Sequence, residues 1–146
     1  MPWRGPYKLR DLIDRPADDD RYLPTDDVGV YVVTRARWEG SPNRQCGVLY
    51  VGGNTGKSDR FRTRVGDLLA DMCGFYGRET GHHSGGQSIR GWCKKERANP
   101  LDLWIGWQTE VTCKRCAEID ACDQLQPELN KKRPSRCPEH DGRTGH

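Results

Sequence analysis

The chain lacks any apolar run approaching the roughly 18 residues of a membrane span, so none is expected. Its opening residues, MPWRGPYKLRDLID, lack the continuous apolar stretch of a secretory signal, which points to an intracellular, cytoplasmic setting. Internal repeats and low-complexity tracts are missing too. Apolar residues are scarce: 34% of the chain, against 31% charged. At 146 residues that leaves room for one domain with a modest core, exposed loops and tails. Cysteine is not scarce. Seven are present, at 46, 73, 93, 113, 116, 122 and 137. The odd count and the missing signal favour a reducing compartment, so the cysteines point to metal binding or core packing rather than disulfides.

Net charge is only +3, but it is unevenly spread. Residues 1–27 hold five basic and seven acidic side chains; the remainder holds nineteen basic and fourteen acidic. A mildly basic body suits a polyanionic partner. The acidic segment, with Asp18-Asp19-Asp20 and Asp26-Asp27 and with Pro16 and Pro24 as breaks, reads as a solvated leader in which residues 8–13 make one helical turn.

Two short β-favouring runs follow, residues 29–34 and 47–52. A polar connection with Gly40 and Pro42 as turn residues suits an antiparallel hairpin. Phe61, Val65, Leu68, Leu69 and Met72 then recur at the spacing of one helix face, with Ser58 or Asp59 as the cap. Residues 73–88 read as a mobile glycine-rich loop, residues 88–97 as a short helix and residues 101–107 as a third strand. A last helix runs from Thr112 or Cys113 to Gln126, ended by Pro127, before a basic tail.

Gly29-Val30-Tyr31 and Tyr50-Val51-Gly52, one in each of the first two strands and followed by a basic helix, resemble the paired triplets of the GIY-YIG nuclease family. The likeness spans about residues 28–133 and omits the leader (1–27) and the tail (134–146). It implies an α/β fold, a small three-stranded antiparallel sheet flanked by helices. It also implies a phosphodiester hydrolase, a DNA endonuclease dependent on Mg²⁺ or Mn²⁺. By resemblance Tyr31 is the general base and Tyr50 orients water or phosphate. Arg64, in Phe61-Arg62-Thr63-Arg64-Val65, holds the scissile phosphate. Glu118 is the metal ligand and Asn130, beyond Pro127, orders the site. His82 and His83 stand where members carry a histidine before paired glycines, and His83 joins the candidate set. The chain departs from the family at Leu68, where many members have a polar ring.

The chemistry suits these residue types. A phenol acts as a base when a cation lowers its pKa. An arginine gives phosphate a fixed charge and two parallel donors. Mg²⁺ keeps most of its waters, so one carboxylate suffices to hold it. Lys57, Arg62, Lys131, Lys132 and Arg133 are expected at backbone phosphates, contacts that position without specifying sequence.

A separate signal is Cys113-x-x-Cys116 with Cys137-x-x-His140, a donor set that suits structural Zn²⁺; the alternative is plain packing. Other readings are a catalytically silent, zinc-stapled nucleic-acid-binding module and an acidic-leader protein that binds another protein and no DNA. One small nuclease domain has one active site, so double-strand cleavage would need a homodimer or two successive nicks.

Overall fold

The computed structural model describes residues 3–13, 28–53, 61–75, 84–109 and 111–130. It forms a four-stranded antiparallel sheet in the order β1-β4-β2-β3, with four α-helices. The strands are β1 (Arg4–Lys8), β2 (Val30–Thr34), β3 (Val48–Gly53) and β4 (Trp104–Gln108). The helices are α1 (Leu9–Ile13), α2 (Phe61–Met72), α3 (Ser84–Glu96) and α4 (Lys114–Leu125). None is long and apolar enough to cross a membrane.

The sheet is buried on both faces. That is why β2 reads as an unbroken apolar run and not as an alternation. Tyr31, Val33, Leu49, Ile105 and Trp107 face a core closed by Leu9 and Leu12 of α1, Phe61, Val65, Leu68 and Met72 of α2, and Ile89 and Cys93 of α3. Val30, Val32, Val48 and Val51 face the other way, onto Trp38, Cys46 and Ala121, Cys122 and Leu125 of α4. The α2 phase matches the spacing of its apolar residues, and Leu68, fully buried, is core.

Two expectations are corrected. The sheet has four strands, not three, because residues 4–8 of the acidic leader pair with β4. The turn at residues 8–13 forms as α1, and its Leu9 amide donates to Leu103 O at 2.9 Å. The stretch belongs to a segment whose acidic, polar composition reads as a solvated leader; as an edge strand it tolerates both Pro6 and a register shift between Arg4 and Tyr7. Asp18-Asp19-Asp20 and Asp26-Asp27 lie outside the described residues.

The second correction is α3, which begins at Ser84 rather than 88. Gly85 and Gly86 sit in its first turn because neighbours leave no room for a Cβ. At Gly86 one would stand 2.6 Å from Asp71 Cβ and 2.9 Å from Leu68 O; at Gly85, 2.5 Å from the Tyr50 ring. Tertiary contact here overrides the low helix propensity of glycine.

Strand β3 is displaced by a bulge. Val33 pairs with Tyr50 but Thr34 with Val48, so Leu49 is extra. The bulge lets Leu49 enter the first core and keeps Tyr50 on the same face as Tyr31. The chain after α4 then runs along the outer edge of β3. Glu128 N donates to Val48 O at 3.0 Å and Leu129 N to Leu49 O at 2.8 Å.

The two kinds of helical glycine predict opposite responses to alanine. Gly66 is exposed in α2, and among the described residues nothing comes within 4 Å of a Cβ built there. Gly66→Ala should stabilise by about 0.5–1 kcal/mol. Gly86→Ala should destabilise by about 1–3 kcal/mol. Urea denaturation of both variants checks the sign; a stabilising Gly86→Ala would show that the α2–α3 contact yields easily.

Candidate active site

The first two strands bring the two tyrosines together. Tyr31, 1% exposed at the centre of the sheet, stacks on half-buried Tyr50 with ring centroids 6.1 Å apart and planes 23° from parallel. Phe61, the first residue of α2, closes the other side at 6.2 Å. The cross-strand partner of Tyr31 is Gly52, and a Cβ there would collide with the Tyr31 hydroxyl. The second glycine, Gly53, pairs with Val30, so it faces the α4 side. A Cβ at Gly53 would lie 3.1 Å from Glu118 Oε1. Gly52 and Gly53 are therefore more than strand terminators: one seats the phenol, the other seats the carboxylate.

Helix phase separates the arginines of α2. Arg62 is exposed, whereas Arg64 is half-buried, one turn after Phe61 and beside the buried stripe. Its charge acts on both buried groups. Tyr31 has its pKa raised well above the usual 10, first by burial and then by Tyr50; Arg64 opposes the shift and Glu118 adds to it. Glu118, 8% exposed, has its carboxyl pushed up by burial to about 7 from 4.5, again with Arg64 pulling down. The phenol is therefore neutral at neutral pH, and Glu118 changes charge there.

Asn130 does not join the tyrosines. It locks the strand that carries one of them. Val51 N donates to Asn130 Oδ1 at 2.9 Å, and Asn130 Nδ2 donates to Val51 O at 2.7 Å. The residue so fixed lies between Tyr50 and Gly52. Tyr31, Tyr50, Arg64 and Glu118 thus converge at one end of the sheet, with Asn130 bracing β3 behind them. Lys57, His82, His83, Lys131, Lys132, Arg133, Cys137 and His140 lie outside the described residues.

Glu118 has the donor chemistry that a divalent cation would need. The carboxylate is buried at a cost that a cation would offset, which is the chemistry that suits it as a ligand. Among the described residues no three His, Cys, Asp or Glu side chains cluster as a metal cage. Two candidate zinc donors are described: Cys113 is the N-cap of α4, without a capping side-chain bond, and Cys116 follows one turn on, buried.

Local sequence pattern gives no sign that Arg64 and Glu118, on helices packed against opposite faces, come together; only the family resemblance groups them. The sequence did offer a signal for Gly53 and Gly85, the doubled glycines, whose meaning emerges only once their neighbours are in place. Comparison with protein-family models, with curated proteins and with solved structures returns no match for the chain.

Burial of Glu118 predicts a pH-dependent penalty. A raised carboxylate pKa means that the folded chain holds its proton more tightly than the unfolded one. Stability is then lost as pH rises from about 4.5 through about 7. In chelator-containing buffer Glu118→Gln should melt like the wild type at pH 4. At pH 8 it should be more stable by up to about 3 kcal/mol. A variant no more stable than the wild type at pH 8 would mean that the carboxylate is adequately solvated.

Proposed function

We propose that the chain is a DNA endonuclease that hydrolyses phosphodiester bonds with the help of Mg²⁺ or Mn²⁺, as its resemblance to GIY-YIG nucleases implies. The observation that supports the reading is the convergence of Tyr31, Tyr50, Arg64 and Glu118 at a strand end stripped of side chains by Gly52 and Gly53. Arg64 binds the scissile phosphate, being a fixed cation whose charge acts on both Tyr31 and Glu118. Tyr50, the more accessible phenol, orients the attacking water or the phosphate. Tyr31 serves as general base in its phenolate form, which burial disfavours and Arg64 favours; having lost its own proton to solvent, the phenolate takes the proton of that water. Asn130 keeps Tyr50 in register through Val51. Glu118 would hold the divalent cation, which when bound supplies positive charge at the leaving oxygen. Lys57, Arg62 and the basic run 131–133 contact neighbouring phosphates. A structural zinc on Cys113, Cys116, Cys137 and His140 would tie the tail to the start of α4 and so fix Asn130 and that basic run.

A second reading is a catalytically silent nucleic-acid-binding module. It is favoured by the protonated state of Tyr31 and by Leu68, which is fully buried where many members have a polar ring. Incubation of supercoiled plasmid with the protein and Mg²⁺, against an EDTA control, separates the two. Nicked or linear product supports the nuclease. A gel shift that weakens with salt, without cleavage, supports the module.

Two variants test the roles. Glu118→Gln should abolish Mg²⁺-dependent nicking while leaving the fold intact, and unchanged turnover would remove Glu118 from the site. Arg64→Ala should slow nicking by at least 10²-fold, about the size of one lost oxyanion donor. It should also move the pH–rate profile to higher pH, because loss of the cation lets the Tyr31 pKa rise further. Arg64→Lys, which keeps the charge, should leave the profile in place. A profile unmoved by Arg64→Ala would show that the ionising base is not Tyr31.

A further inference from the structure

A concavity lies at the end of the sheet opposite the tyrosine site. Val30 pairs with Gly53 and Gln108 at the tyrosine end, and Thr34 with Val48 and Trp104 at the other. Arg35 follows Thr34 and Leu103 precedes Trp104, so the cleft that they line opens about 13 Å from Tyr31 along the strand. Its volume is about 550 Å³, within the range of small-ligand sites. The same helix serves both ends. The first turn of α3 carries Gly85 against Tyr50, and its last turns carry Trp92, Glu96 and the following Arg97 into the cleft.

The cleft holds a prepared planar surface. The Arg35 guanidinium lies over the Trp92 indole, 5.7 Å from its centroid. The stem of Arg35 packs on Gly47, where a Cβ would stand 3.0 Å from Arg35 Cδ, and its amide donates to Gly47 O at 2.9 Å. Across the opening, Arg97 takes the left-handed conformation just past α3, φ 56°, a place that favours glycine. Glu96 and Glu128 add carboxylates; the third, Asp102, is paired with Arg10 at 2.9 Å.

This charge balance selects the ligand. A phosphate would meet Glu96 and Glu128. A basic side chain would meet Arg35 and Arg97. A neutral planar group with donors and acceptors at its edge suits both the stack and the mixed rim, and nucleobases are such groups. Resting on the nuclease reading, we propose that this cleft takes an unpaired nucleobase stacked on the Arg35–Trp92 platform, so that the substrate is a duplex carrying a single-stranded extension.

The test measures binding in EDTA, where no cleavage intervenes, by anisotropy of three labelled DNAs: a blunt duplex, the same duplex with a short single-stranded tail, and one whose tail is abasic. The tailed duplex should bind roughly ten-fold more tightly than the blunt one, the scale of one base–aromatic stack. The abasic tail, which keeps every phosphate, should lose that advantage. Arg35→Ala and Trp92→Leu should bring the ratio of tailed to blunt affinity to about one without weakening blunt binding, and Trp92→Phe should preserve it. Arg35 is exposed, so Arg35→Ala decides the matter even if Trp92→Leu unfolds. An abasic tail as good as a natural one, or a preference that survives Arg35→Ala, overturns the proposal. Mg²⁺-dependent nicking without tail preference would sink the cleft and spare the nuclease. Tail preference without nicking would do the reverse.

Discussion

Two charges from opposite faces of one sheet meet across a strand end that has no side chains. Arg64 belongs to the layer of α1, α2 and α3, and Glu118 to the layer of α4, yet the field of the arginine reaches the carboxyl. In a sheet covered on both sides, side chains normally keep such groups apart. Here Gly52 and Gly53 remove the partition. The Tyr31 hydroxyl occupies the space on one side and the Glu118 carboxylate that on the other. Much else follows from this. The bulge at Leu49 keeps Tyr50 facing Tyr31, and Asn130 holds Val51 so that the bare segment does not slip.

The same arrangement works against stability. An ionised carboxylate in the core, and a phenol whose proton is held by burial, are poor choices for a scaffold. On the proposed reading they would suit a site whose charge is completed when a cation or an anionic substrate arrives. This is the pattern expected where function is placed ahead of folding.

Much of this could be read from the residues. Val30 to Thr34 announce a strand because every position is apolar or β-branched, and α2 announces its phase through Phe61, Val65, Leu68 and Met72. The candidate residues Tyr31, Tyr50, Arg64, Glu118 and Asn130 came from ordered triplets and their followers, and the fold brings the first four together. The misses share one cause: local signals outweighed by contacts distant in sequence. Residues 4–8 lie in a segment whose polar composition reads as a solvated leader until they pair with β4. Gly85-Gly86 signals a loop until Tyr50 and α2 press against it. The Arg35–Trp92 platform joins residues 57 positions apart, and no local pattern announces it.

The segment after α4 has a consequence for assembly. With Glu128, Leu129 and Asn130 occupying the backbone groups of β3, that margin offers no template for another strand. The opposite margin, β1, carries Pro6, which lacks an amide proton, and an irregular register. Neither border invites a second copy to extend the sheet. Among the described residues, a second copy would then find helix and loop surfaces rather than a free strand, so the centres of the pair proposed for double-strand cleavage would not be set by the spacing of strands.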